Sequence, residues 1–184
     1  MDRLTENYYR FLRGDDTGLE EIIRTCKDGL ILYLNAFLQD PSLAEEVTEE
    51  VFVKLFVKRP RFLGNSSLRT WLYTIARNLA ADHLRKHKNM TVSLDDCAET
   101  GNDILSLEDA YIQREESKIL HKAIKKLKPE YMQVLWLYYF EGFTLKEIAK
   151  IVKKSVHNTE TLIYRARLAL KKKLSEEGFT YENL

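Results

Sequence analysis

Four carboxylates, Glu45, Glu46, Glu49 and Glu50, stand directly upstream of residues 51–90, where nine Lys or Arg face a single acid, Asp82. Acids at helical spacing offer a docking surface to a basic protein. Cations neutralise phosphates, and rings set among them, here Trp71 and Tyr73, can stack on unpaired bases for roughly 1–3 kcal/mol per base. A second constellation lies nearer the C-terminus. Ser155, His157, Asn158, Glu160, Thr161, Tyr164 and Arg165 open and line the outer side of a helical pattern, and such side chains reach base edges or phosphates from a major groove. Lys171, Lys172 and Lys173 extend the cationic surface.

Hydrolysis by paired acids fails on geometry, because Glu49 and Glu50 are adjacent and neighbours on a helix point about 100° apart. The sequence has no nucleophile elbow, no phosphate-cradling glycine loop and no metal-ligand spacing. It reads as a non-enzyme with no cofactor, no metal and no small-molecule substrate. Cys26 and Cys97 are isolated thiols and are assigned no disulfide. No apolar run approaches the roughly 20 residues of a membrane span, and Met1 to Arg13 lacks a signal-peptide core, so the expected location is the cytoplasm.

The formal net charge of +1 conceals a segregation along the chain. Residues 1–50 hold five basic and twelve acidic side chains, residues 91–117 hold Arg114 against eight acids, and residues 118–184 hold fourteen basic against seven acidic. Two basic modules separated by an acidic stretch are the footprint of contact with an anionic polymer at two places.

Seven Gly and three Pro in 184 residues favour long helices over tight turns, and the expected fold is all-α. Two small helical domains, 1–90 and 118–184, are joined by a flexible acidic linker, 91–117. In the first, Leu19, Ile22, Ile23, Cys26 and Leu30 recur at three- and four-residue spacing. Asp40-Pro41-Ser42 breaks the pattern, and Ser42 with Glu45 reads as a capping box. The next helix turns Val47, Val51, Leu55 and Phe56 inward and leaves its carboxylates outside. Pro60 and the Gly64 to Ser67 turn separate it from a third helix. There Leu68, Leu72, Ile75, Ala76 and Leu79 form the buried face, with Arg69, Tyr73, Arg77, Asn78, Arg85 and Lys88 on other sides. Phe62 reads as core; Trp71 reads equally as a core anchor or a stacking ring.

In the second domain a stripe from Ile119 to Leu127 stops at Lys128-Pro129. The run Tyr131 to Phe140, apolar on nearly all sides, belongs at the centre. Thr144 and Glu147 form a capping box for a short helix with Leu145, Ile148, Ala149 and Val152 inward. A turn at Lys153-Lys154 leads to Ser155, which caps a helix with Leu162, Ile163, Ala166 and Leu170 inward. This is the pattern of a helix-turn-helix. A stand-alone DNA-binding regulator would use that element but leave the carboxylate helix and the Trp71 to Asn78 string without purpose.

Glu46 to Leu55 and the string Leu68-Arg69-Thr70-Trp71-Leu72-Tyr73-Thr74-Ile75-Ala76-Arg77-Asn78 resemble the second conserved domain of bacterial sigma factors of the extracytoplasmic-function (ECF) group. Glu141-Gly142 through Glu147-Ile148-Ala149, and Tyr164-Arg165-Ala166-Arg167, resemble their fourth. The resemblance implies a protein that binds RNA polymerase core and directs it to promoter DNA. Glu46, Glu49 and Glu50 match positions facing the clamp helices of the largest subunit. Trp71, Tyr73, Arg77 and Asn78 match the place where strands separate and a flipped base is held at the minus-ten element. The helix from Ser155 to Arg167 matches the one that enters the major groove at the minus-thirty-five element. An anti-sigma factor is a further partner the resemblance implies. This sequence departs from the family pattern at Glu49 (commonly Gln), at Lys153 (commonly Gly), and at His157 to Leu162, so no upstream DNA preference carries over.

Overall fold

The computed structural model describes residues 2–90 and 123–176, with the side chains of residues 87–90 outside that description. The acidic linker and Lys88 therefore lie outside the described residues. All regular structure within them is helical: α1 (Arg3–Leu12), α2 (Thr17–Leu38), α3 (Pro41–Lys58), α4 (Leu68–Met90), α5 (Pro129–Tyr139), α6 (Leu145–Val152) and α7 (Val156–Glu176).

The first helix precedes the stripe from Leu19 to Leu30 with which the sequence reading opened the first domain. Its signal is nonetheless there: Asp2 accepts the Thr5 N–H at 2.7 Å as an N-cap, and Tyr8 and Phe11 repeat three apart as fully buried rings. Tyr8 donates its hydroxyl to the Pro60 carbonyl at 2.6 Å, so α1 braces the loop between α3 and α4.

The cap of α3 is Asp40 rather than Ser42. Its carboxylate accepts the Leu43 N–H at 3.0 Å, and Pro41 occupies the first turn, where a missing N–H costs nothing. Ala44, Val47, Val51 and Leu55 form the buried stripe. Phe56, expected inward, is 53% exposed; it sits about 100° around from Leu55 and rests against Phe11 at the core's edge.

In the second module Pro129 starts α5, whose Met132, Val134, Leu135, Trp136 and Leu137 are buried as expected. Tyr138 and Tyr139 turn outward and carry the Arg167 guanidinium on their rings, tying α7 to α5. The Thr144–Glu147 capping box is formed, and the Ser155 hydroxyl accepts the Asn158 N–H at 3.1 Å to start α7. Lys153 takes the turn at φ 55°, the left-handed conformation that favours glycine. The modules are docked on each other, α2 against α5 and α4 against α6, and their buried side chains form one continuous core.

Candidate nucleic-acid interface

On α3, Glu45, Glu46, Glu49 and Glu50 all reach solvent. Glu50 is tied to α4 through His83, Nε2 to Oε2 2.9 Å. Glu46, Glu49, Val53 and Val57 follow one another at three- and four-residue spacing, so the acidic face runs straight into an apolar one. Val53, Phe56 and Val57 are 58%, 53% and 64% exposed. A contiguous apolar exposure of this kind marks an interaction surface. Sequence periodicity missed its extent, since it assigned Phe56 to the core.

The candidates on α4 do not form one surface. Trp71, Asn78 and Arg85, seven apart, stay on one side; Arg69, Tyr73 and Arg77, four apart, lie roughly opposite. Trp71 is half-buried against Tyr8 and Phe62, with ring centroids at 5.4 and 5.3 Å, so it is both core anchor and partly open ring. Phe62 is core, as expected. Asn78 is partly open and Arg85 exposed, the latter paired with Asp82.

The opposite face is covered by the second module. Tyr73, expected outside, is 1% exposed, its ring packed on Tyr33 at 5.2 Å and Phe143 at 4.9 Å. Its hydroxyl donates to Glu141 Oε2 at 2.6 Å. Arg69 donates to the same oxygen at 2.5 Å and to the Glu141 carbonyl at 2.7 Å. The Trp136 indole beside this carboxylate favours its charged form. Glu141 is 4% exposed, and burial pushes its carboxyl above the ordinary range despite these donors. Burial and the Glu141 charge beside it hold the Tyr73 phenol well above its ordinary value, so it remains a donor. Arg77 is partly buried, and its Nε meets no acceptor among the described residues.

Further bonds cross the junction. Gln133 donates to the buried Tyr33 hydroxyl at 2.8 Å, Thr70 to Glu147 at 3.0 Å, and Lys150 to the Asn65 carbonyl at 2.5 Å. The loop before α4 and the first turn of α4 thus rest on α6.

On α7, His157, Asn158, Glu160, Tyr164 and Arg165 are exposed together, and Thr161 is partly so. Ser155 serves as the cap, and Thr161 donates back to the His157 carbonyl at 3.1 Å. Asn158, Thr161 and Arg165 share a groove of about 310 Å³ with Lys154, a cation the sequence reading did not single out. A helix presenting these groups beside a lysine-bearing turn has the outline of a recognition helix.

The comparisons with known proteins agree with this division. Residues 22–90 match the family model for Sigma-70 region 2, and residues 117–170 that for Sigma-70, region 4. The ECF RNA polymerase sigma factor SigW of Bacillus subtilis is 31% identical over 89% of this chain and 92% of its own length. The chain belongs to the ECF RNA polymerase sigma factors. RNA polymerase sigma-H factor of Pseudomonas aeruginosa is 29% identical over 90% of both chains. Among solved structures, CnrH in complex with the cytosolic domain of CnrY superposes with a TM-score of 0.67 at 19% identity, covering 95% of this chain and 99% of that one. RpoE in complex with the anti-sigma factor NepR from Bartonella quintana gives 0.63 at 19%, covering 85% and 96%.

As a sigma factor the protein works with RNA polymerase in promoter-directed transcription, and sigma factors are initiation factors rather than enzymes. A regulator using its helix-turn-helix alone is not favoured, because region 2 and region 4 are both present and in order. Among the described residues no helix is long and apolar enough to cross a membrane.

Proposed function

We propose that this sigma factor divides its tasks among three surfaces. The face of α3 formed by Glu46, Glu49, Val53, Phe56 and Val57, with Glu50 at its edge, docks on the clamp helices of the polymerase core. The side of α4 bearing Trp71, Asn78 and Arg85, with the preceding loop, separates strands at the minus-ten element. The exposed face of α7, His157, Asn158, Glu160, Thr161, Tyr164 and Arg165, reads the minus-thirty-five duplex. The observation that carries this reading is the run of acids into bare apolar side chains on α3. Three neighbouring apolar side chains at over half exposure, rimmed by acids, mark a surface for a partner to cover.

The domain limits are read as 1–90 and 118–184, the cytoplasm as the location, and the chain as having no catalytic activity of its own. Both solved relatives are bound to a second protein, in one case named an anti-sigma factor, which supports such an inhibitor as a partner here.

Run-off transcription with purified core across a pool of promoters tests the reading as a whole. The charge-reversing pair Glu46→Lys with Glu49→Lys tests the docking face. Both side chains are exposed, so helicity is retained, while affinity for core falls at least tenfold, about 1.4 kcal/mol. Undiminished co-purification with core removes α3 from the docking surface.

A further inference from the structure

On the α7 face proposed above to read duplex DNA, Glu160 carries a charge of the wrong sign for phosphates. It is exposed and opens the second turn of the helix. That is too late to cap the helix or to meet the positive end of its dipole, whose influence falls off within the first turn. Spacing gives it no local partner either. Three and four residues away stand Val156, His157, Ile163 and Tyr164, so no Lys or Arg lies one turn off on either side. Arg167, seven residues on, lays its guanidinium over the Tyr138 and Tyr139 rings. Among the described residues the Glu160 carboxylate has no ion pair or hydrogen bond.

The neighbouring acid is placed differently. Glu130 lines the groove that holds Lys154 and Arg165, where its charge is offset. Glu160 stands about 140° round the helix from Arg165 and lies outside that groove. The face therefore has a cationic flank and an anionic one. Between them Thr161 has its hydroxyl hydrogen committed to the His157 carbonyl, so towards DNA it can only accept.

The major groove offers an unpaired carboxylate few partners. Guanine presents two acceptors, N7 and O6; thymine presents the O4 acceptor and a methyl. Adenine sets its N6 donor beside the N7 acceptor, whereas cytosine presents the N4 donor alone. A carboxylate is thus stranded against guanine or thymine, partly opposed by adenine and satisfied by cytosine. Stripping water from a charged group without a replacement hydrogen bond is costly, so a mismatch is penalised more than a match is rewarded. Such an acid lowers affinity for DNA in general and restores it at one base, which is discrimination by a repulsive element.

We propose that Glu160 is a specificity-determining residue, whose carboxylate accepts from the N4 amino group of a cytosine in the minus-thirty-five element and rejects the other bases there. This rests on the reading of α7 as the helix in the major groove and adds to it the base and the residue that selects it.

The test uses the full chain with purified polymerase core and a duplex pool randomised across the minus-thirty-five element; promoter complexes are captured and their DNA sequenced. The parent is expected to favour cytosine at one position of one strand about tenfold over guanine or thymine, within the range of a single good contact to a base. Glu160→Gln is expected to move that preference to adenine, since an amide pairs with N6 and N7 together. Glu160→Ala is expected to flatten that position alone and to bind mixed-sequence duplex more tightly, because a charge repelled by phosphates is gone. The site is exposed, and Ala and Gln both suit a helix, so helicity is retained. The proposal is overturned if Glu160→Ala keeps the parent's preference at every position, or if the position it flattens was not a cytosine. Preferences that neither variant alters leave the reading of α7 standing and remove Glu160 from it. A parent with no upstream preference at all overturns that reading, and this proposal with it.

Discussion

Glu141 is flanked by Arg69 and Tyr73 of α4, Cys26 of α2 and Trp136 of α5. Arginine stays charged, the phenol is held well above its ordinary value, and burial pushes the Cys26 thiol up to about 11. The carboxyl of Glu141 is raised by desolvation, despite the donors around it. A raised carboxyl binds its proton more tightly in the folded protein than in the unfolded chain. Its contribution is fully present below the ordinary value of 4.5 and is lost as pH rises through the folded-state value. The folding stability contributed by this site is expected to fall as pH rises across that window, whereas Glu141→Gln, which cannot ionise, gives a flatter profile. Urea titrations at matched pH values check this, and parallel profiles contradict it. None of this was legible from the sequence. A glutamate in a Glu-Gly turn looks solvent-exposed, and only a partner domain distant in sequence buries it. Tyr73 failed for the same reason: a ring inside a second interface has the same spacing as a ring facing water.

At the scale of elements the sequence reading was more secure, because helix ends are local chemistry. The Thr144–Glu147 box, Pro129 and Ser155 each act within one turn and each was visible as a motif. Where two caps competed, at Asp40 and Ser42, the proline between them decided. Only one choice puts Pro41 in the first turn. The extent of the exposed α3 face was lost because periodicity gives a stripe's direction and not its width, leaving Phe56 on the wrong side of its edge. The helix-turn-helix shows what a departure from family pattern means physically. Lys153 holds φ 55°, a conformation costing an L-residue roughly 1–2 kcal/mol. Lys153→Gly relieves that strain but gives the unfolded chain extra freedom, for a net gain of about 0.5–1 kcal/mol. Urea unfolding of the full chain measures it. A loss of stability instead implies that the lysine side chain makes a contact worth more than the strain.

Over the whole molecule, the segregated charges lie on separate surfaces. The face of α7 that carries Arg165 is exposed, whereas the loop before α4 is in contact with α6. Arg165→Ala is expected to act at this exposed face. It removes one cation from the Lys154–Arg165 groove, weakens duplex binding, and lowers the slope of log affinity against log salt by about 0.9 if the contact is to a phosphate. An unchanged slope with weaker binding reassigns Arg165 to a base edge, where bidentate contact with guanine discriminates sequence by about 1–3 kcal/mol.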